Sequence, residues 1–476
     1  MYQLSSVLLL ILLLASVTAC SEKEVEANKS NIVLIFLDDL GYGDLGFTGQ
    51  KYIETPIIDG LSEEGMVFSQ FYSGSPVCAP SRSSLMTGLH TGHTHIRGNK
   101  EIDPEGQEPL LDSLVTVAEI LKSAGYKTGA FGKWGLGFVG TEGDPNNQGF
   151  DSFFGYNCQR QSHRYFPDHL WDNNRRIEYP DNNPGNAEGY APDIIQKRAL
   201  TFIEDNKDEP FFLFLPYTLP HAELVVPEDS LFNKYKGKFK ENPFKGTDYV
   251  IGQSVLGYSS QEYPRAAYAA MVNRIDVYVG QVIAKLKELG LEENTLIILT
   301  SDNGPAKEGG ADPDFFDGNG IYKGYKRDVY EGGIHVPFIA KWPGKIASGS
   351  KSDHISALWD LLPTFSDISG ASIPNKIDGV SILPTLLGKN GQKKHDYLYW
   401  EFHEQGGKQA VRKDNWKAVR LNVKKDSNGP IELYDLSKDP SEMNDIASSH
   451  PEIVKQMATY MKEAHVESNI FPLLVN

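Results

Sequence analysis

Asn31-Ile32-Val33-Leu34-Ile35-Phe36-Leu37 is an unbroken apolar run, rich in β-branched residues, that ends abruptly in Asp38-Asp39-Leu40-Gly41. Apolar side chains at every position, rather than at alternate ones, mark a strand buried on both faces, the habit of α/β sheets covered by helices on each side. Open sheets of that class collect their ligands outside the carboxyl ends of the strands, which is where Asp38 and Asp39 fall. Two adjacent carboxylates repel each other unless a cation sits between them, while a solvated Asp-Asp turn is the other reading of the pair.

The same pattern recurs far along the chain. Thr295-Leu296-Ile297-Ile298-Leu299-Thr300 is a second such run and leads into Ser301-Asp302-Asn303-Gly304. Two strand ends that each offer oxygen ligands make a hard-cation site, with Ca²⁺ favoured over Mg²⁺ where carboxylates and an amide oxygen surround the ion. No His/Cys cluster points to zinc. Phe211 to Leu215 is a third buried run, with His221 just beyond it. A helical stretch over 114–123 leads to a strand at 127–131, followed by Gly132-Lys133-Trp134-Gly135. A long amphipathic helix from about Arg265 to Leu289 stops at Gly290 and feeds the Asp302 strand. Further on, a strand is expected over 335–340 and a helix over 354–368. Helix followed by parallel strand is the repeating unit of a large α/β domain. From about Asp396 the pattern changes to short alternating strands at 397–402, 410–420 and 432–436, with a final helix at 451–465. The expected organisation is a catalytic domain over 30–385 and a smaller α+β C-terminal subdomain over 386–476, an antiparallel sheet plus a helix.

Composition limits the partners. The chain has 476 residues, 40% of them hydrophobic, and a net charge of −17. That charge excludes a broad basic face for nucleic acid, so an anionic substrate must meet a local basic pocket. Residues 4–19 form an apolar, small-residue run ending Val17-Thr18-Ala19-Cys20, then turn polar at once. The run is a processing segment rather than structure. It resembles the lipobox of bacterial lipoproteins, which implies a signal peptide over 1–19, lipidation of Cys20 and a tether over 20–29. The flank Met1-Tyr2-Gln3 carries no Lys or Arg, and a plain signal peptide is the alternative. Either reading exports the protein, to the periplasm or surface of a Gram-negative bacterium, with a membrane held by a lipid anchor only. With Cys20 in the leader, Cys78 and Cys158 remain, too few for a disulfide framework.

Ser75-Pro76-Val77-Cys78-Ala79-Pro80-Ser81-Arg82 continues to Leu85-Met86-Thr87-Gly88. A thiol nucleophile needs a nearby base to make thiolate, and a buried structural cysteine at a Pro-bounded helix start is the bland reading. Cys-x-Pro-Ser-Arg followed by Leu-x-x-Gly resembles the maturation signature of the type I sulfatases. The resemblance implies an alkaline-phosphatase-like mixed sheet flanked by helices, and oxidation of Cys78 to formylglycine (3-oxoalanine) by a maturation enzyme. It further implies one Ca²⁺ held by Asp38, Asp39, Asp302, Asn303 and the modified Cys78. Arg82 matches the arginine that fixes the formylglycine, Lys133 and Lys326 match the sulfate-binding lysines, and His221 matches the histidine at the bridging oxygen. Gly135 departs from the family's Gly-Lys-Trp-His-Leu-Gly, where the histidine is assigned to regenerating the aldehyde. His90, His93 and His95 are the substitutes nearest in sequence.

The expected reaction is hydrolysis of a sulfate ester on a carbohydrate. Asn157-Cys158-Gln159-Arg160-Gln161 is similar to bacterial carbohydrate sulfatases, including galactose and N-acetylgalactosamine 4-sulfatases. Sugar recognition needs aromatic faces beside polar groups, which points to His163 and Arg164, to Trp400, Glu401 and His403, and to His93, His95, Arg97 and Lys323 as substrate contacts. A phosphoester or phosphonate hydrolase on the same fold, or a non-catalytic lipoprotein that binds sulfated glycan, are the alternatives.

Overall fold

The computed structural model describes residues 29–185, 187–247 and 257–474. The leader and Cys20 lie outside the described residues. Ten strands form the large sheet: β1 (Asn31–Asp38), β2 (Met66–Phe68), β3 (Lys127–Lys133), β4 (Ser152–Tyr156), β5 (His169–Asp172), β6 (Arg175–Glu178), β7 (Phe211–Pro220), β8 (Thr295–Ser301), β9 (Phe338–Lys341) and β10 (Ser350–Ser352). Their spatial order is β10-β2-β9-β8-β1-β7-β3-β4-β5-β6. The central five, β8-β1-β7-β3-β4, are all parallel, and antiparallel strands are added on both sides. The sheet is therefore mixed.

The run at Asn31 explains the layering. Val33, Ile35 and Leu37 pack into one apolar cluster with helices α1 (Pro56–Glu64), α4 (Ala191–Asp205) and α5 (Pro264–Glu288), while Ile32, Leu34 and Phe36 pack into another with α2 (Cys78–Thr87), α3 (Val117–Ser123) and α6 (Leu361–Ser369). Alternate side chains of one strand thus serve two helical layers, which is why no position of β1 between Ile32 and Leu37 is polar. Truncating one of them, Ile35→Ala for example, would cost about 2–5 kcal/mol.

Two boundaries differ from the sequence expectation. The helix expected over 354–368 begins at Leu361. Ser356 and Ala357 instead pair with Phe71 and Tyr72, and the Asp360 carboxylate accepts from Ala357 N at 2.8 Å. The strand expected from His335 begins at Phe338, because His335 N is committed to Glu331 O and Pro337 has no N–H for a ladder. The hairpin β5–β6 was not expected: Arg175-Arg176-Ile177-Glu178 is half-exposed and polar, so it carries little apolar signal.

The C-terminal part is a four-stranded antiparallel sheet, β11 (Leu398–Phe402), β12 (Lys408–Lys413), β13 (Trp416–Leu421) and β14 (Ile431–Asp435), with helix α7 (Pro451–Ala464). One face, through Leu398, Trp400 and Val419, packs on Tyr72, Val77 and Val329 of the large domain. The other, through Tyr399, Val411 and Leu433, packs on Met457 and Met461 of α7. No helix among the described residues is long and apolar enough to cross a membrane.

Candidate active site

The five parallel strands end at one place. Asp38 closes β1 and is followed by Asp39, β8 is followed by Asp302 and Asn303, and His221 follows β7. Lys133 is the last residue of β3, and β4 leads into Asn157. Asp39 adopts a left-handed φ of 62°, a conformation that Asp tolerates. This turn lets consecutive aspartates serve one point. Onto the strand ends is set the N-terminus of α2, whose first residue is Cys78, after an extended Val77. The helix is pinned there: Ser81 Oγ donates to Asp302 O at 2.6 Å, and Arg82 donates to Lys133 O at 2.6 Å and to Asp302 Oδ2 at 2.9 Å.

Around Cys78 the charges alternate. Its Sγ lies 3.3 Å from Asp38 Oδ1 and 3.9 Å from Asp39 Oδ1. The outer oxygens of the two aspartates take ammonium groups, Lys133 Nζ at 2.7 Å from Asp38 Oδ2 and Lys326 Nζ at 2.8 Å from Asp39 Oδ2. Lys326 Nζ also lies 3.0 Å from His221 Nε2, and His221 Nδ1 donates to Ala222 O. The Nε2 lone pair is therefore the one facing Lys326. Burial and the neighbouring Lys326 pull His221 below its ordinary pKa, which keeps the ring neutral. Burial together with Asp38 pushes the Cys78 thiol well above its usual range. Unmodified Cys78 is thus a neutral thiol, a poor nucleophile.

Burial works to raise Asp38, but Lys133, Arg82 and Lys326 hold it well below the carboxylate range. Asp302 behaves in the opposite way: burial and the adjacent Asp38 push it up to about 8, against Arg82. A third carboxylate at this point is thus poorly neutralised by the protein alone. Asn303 donates Nδ2 to Asp39 Oδ1 at 2.8 Å, and its Oδ1 is buried without a hydrogen-bond partner. Three buried carboxylates and an orphaned amide oxygen are a hard-oxygen donor set that fits Ca²⁺. Ligand atoms of Asp38, Asp39, Cys78 and His221 all lie within 4.8 Å of one another.

Glu308 was not anticipated. Its carboxylate takes Lys326 Nζ at 3.3 Å, Tyr258 OH at 2.9 Å and Arg327 Nη1. Only its place in the Gly-rich stretch after Asp302-Asn303-Gly304 marks it in sequence. Four carboxylates (Asp38, Asp39, Asp302, Glu308) then meet four cations (Arg82, Lys133, Lys326, Arg327). A buried cluster whose cations are already spent on carboxylates resists an added anion unless further positive charge accompanies it. A divalent cation beside an anionic ester meets that requirement.

The expected substrate contacts separate into two groups. His163 stacks on His221 with ring centroids 4.7 Å apart and planes 8° from parallel, and Arg164 pairs with Glu223 at 2.5 Å; both flank the cluster. The remaining expected contacts are engaged elsewhere in the fold. Glu401 has both oxygens filled, by Arg97 (3.0 Å) and His403 (2.9 Å) on one and by Tyr399 (2.8 Å) and His465 (2.7 Å) on the other. Trp400 is sealed in the interdomain apolar cluster and donates its indole N–H to Ser73 O at 2.8 Å. Arg97, Trp400, Glu401 and His403 are internal scaffolding. Lys323 lies over the Tyr330 ring, 3.3 Å from Tyr434 OH and from Glu442 O, and ties its loop to the small sheet. His93 Nδ1 sits 2.9 Å from Asp378, His90 Nε2 lies 3.7 Å from the same carboxylate, and His95 Nε2 lies 3.7 Å from Glu108. Among the described residues no hydrogen bond or ion pair joins these three histidines to the cluster or to the place of the histidine missing at Gly135. That space is filled from elsewhere: a Cβ on Gly135 would lie 2.3 Å from Gln159 Nε2.

Residues 30–371 match the family described as Sulfatase, and residues 320–467 match "N-sulphoglucosamine sulphohydrolase, C-terminal". N-acetylgalactosamine-6-sulfatase of Mus musculus is 32% identical over 382 residues, 75% of this chain and 66% of the relative. The match thus spans just under two thirds of that protein. Arylsulfatase A of Homo sapiens is 32% identical over 480 residues, covering 90% of this chain and 87% of the relative. The crystal structure of Ps i-CgsB in complex with k-i-k-neocarrahexaose superposes with a TM-score of 0.76 at 29% identity, covering 92% of each chain.

Proposed function

This chain belongs to the sulfatase family, and from that premise we propose that it hydrolyses sulfate esters of a carbohydrate, using formylglycine made from Cys78 and one calcium ion. The observation that carries the reading is the position of Cys78: a buried, neutral thiol at a helix start, facing two aspartates and ringed by Lys133, Lys326 and His221. A thiol with a raised pKa, bonded to carboxylates rather than to an imidazole, is a poor nucleophile as it stands, which supports its conversion to another group.

Asp38, Asp39, Asp302 and Asn303 would hold the cation, which supplies Lewis-acid polarisation and acidifies a bound hydroxyl when present. Lys133 and Lys326 stand on opposite aspartates, so their ammonium groups flank the position of Cys78 and stabilise negative charge on sulfuryl oxygens. Lys326 carries the mobile proton of the Lys326–His221 pair, and the neutral Nε2 of His221 accepts from it, so the pair can hand a proton to a departing alkoxide. Arg82, bound to Asp302 and to the Lys133 carbonyl, fixes the helix start and hence the nucleophile.

Galactose or N-acetylgalactosamine sulfate is the proposed sugar class, supported by the N-acetylgalactosamine-6-sulfatase relative and the neocarrahexaose complex. The proposed location is outside the cytoplasm, lipid-anchored through Cys20. Palmitate labelling of wild type but not of Cys20→Ala checks the anchor.

Co-expression with a maturation enzyme followed by mass spectrometry of the Cys78 peptide tests the nucleophile, with an aldehyde expected. A paired assay on sulfate and phosphate esters tests the reaction, and release of phosphate in preference to sulfate would reject it. Chelation with EGTA is expected to lower turnover by about 100-fold or more, with Ca²⁺ restoring it better than Mg²⁺.

A further inference from the structure

A cavity of about 610 Å³ opens beside the cluster, lined among others by Phe138, Asn157, Arg160, Gln161, Arg164 and Trp171. It lies within the roughly 300–1,000 Å³ of ordinary ligand sites. The segment after β4 separates cavity from cluster. Gly135 N donates to Asn157 O at 2.9 Å, two residues beyond Lys133. His163 leans on His221 from the same segment, and Arg164 lines the cavity.

Three features describe what the cavity takes. Asn157 is 1% exposed, yet neither its Oδ1 nor its Nδ2 has a hydrogen-bond partner, and Oε1 of the buried Gln161 is likewise alone. Buried amides without protein partners are costly and call for a polar group, an ordered water or a ligand hydroxyl, to complete them. Trp171 and Phe138 are half-buried and present aromatic surface to the same space. The three arginines at the cavity are each already neutralised: Arg160 by Glu101 and Asp103, Arg164 by Glu223, and Arg176 by Asp168 and Glu178. The cavity therefore offers hydroxyl partners and a ring platform rather than a second anion site.

Building on the sulfatase reading above, we propose that this cavity is a subsite for an unsulfated sugar ring next to the sulfated one, with Asn157 and Gln161 as its hydrogen-bonding groups and Trp171 as its platform. The natural substrate is then an oligosaccharide in which a neutral residue adjoins the sulfate ester.

The full-length protein is titrated calorimetrically with two neutral probes, neoagarotetraose and carboxyl-reduced, desulfated chondroitin tetrasaccharide. Saturable binding of at least one is expected, weakened about tenfold or more by Asn157→Ala and by Trp171→Ala, and kept within about threefold by Trp171→Phe. In turnover, the same two Ala variants are expected to lose at least about tenfold more kcat/KM on a sulfated tetrasaccharide than on 4-methylumbelliferyl sulfate. No binding of either probe, or equal losses on large and small esters, overturns the subsite. Sulfate release by wild type without neutral-sugar binding rejects this inference alone, whereas neutral-sugar binding without release from any ester rejects the sulfatase reading and leaves the cavity assignment standing.

Discussion

Gly135 is a single residue whose meaning differs between sequence and structure. The sequence marks it as a missing side chain, and proximity offers His90, His93 and His95 as replacements. In the structure its φ is +77°, and the Gln159 amide lies where its side chain would begin. Restoring the histidine is therefore not a simple gain. Gly135→His is expected to lower stability by about 1–2 kcal/mol from the left-handed backbone alone, with a further steric cost against Gln159. Adding Gln159→Ala should recover the steric part and leave the backbone part, seen as a partial return of Tm. Equal Tm values for the single and double variants would show that Gln159 is not the obstacle. Cys78, Asp38, Asp39 and Asp302 were legible because each follows a recognisable strand or motif. Gln159 was not, since it reaches Gly135 from the turn that follows the neighbouring strand, and only the β3–β4 pairing brings the two together.

Among the elements, the strands of the buried core were the most legible, because burial on both faces leaves an unmistakable apolar run. The turn that follows β1 was not, although it carries an unusual acid. Asp44 is fully buried. Its Oδ2 accepts from Gly41 N at 2.8 Å and from Tyr268 OH at 2.7 Å, while Oδ1 has no partner. Burial pushes its pKa up to about 7, against those two hydrogen bonds. The folded state thus keeps a proton that the unfolded chain has already released near pH 4, so stability falls as pH rises from about 4 to about 7 and stays low above that. The contribution is about 2–4 kcal/mol over that window. Asp44→Asn cannot ionise and is expected to gain Tm over wild type at pH 8 and not at pH 4. A difference that does not change with pH would mean that Asp44 is ionised throughout.

At the scale of the molecule, the small sheet is a support for the active site rather than an appendage. Val77, which precedes Cys78, and Val329, three residues beyond Lys326, both pack in the cluster formed with Leu398, Trp400 and Val419. Lys408 of β12 donates to Arg327 O at 2.7 Å and to Asp328 Oδ1 at 2.9 Å. The tightest link is buried: Lys417 Nζ of β13 lies 2.8 Å from Glu331 Oε1 and 3.4 Å from Glu442 Oε1, and Glu331 Oε2 accepts from Tyr72 OH at 2.7 Å. Lys417 has no exposed surface. Removing one partner of such a group leaves uncompensated buried charge, so Lys417→Met is expected to cost about 3–5 kcal/mol. If the sheet holds the Lys326 loop, the same variant will also lose turnover at temperatures where it remains folded. Lys417→Met combined with Glu331→Gln and Glu442→Gln removes the stranded charges and, with the apolar contacts of Val77 and Val329 intact, should return most of both stability and rate. Recovery of Tm without recovery of rate would separate the two effects, and would mean that the ion pair itself, rather than the packing around it, sets the position of Lys326.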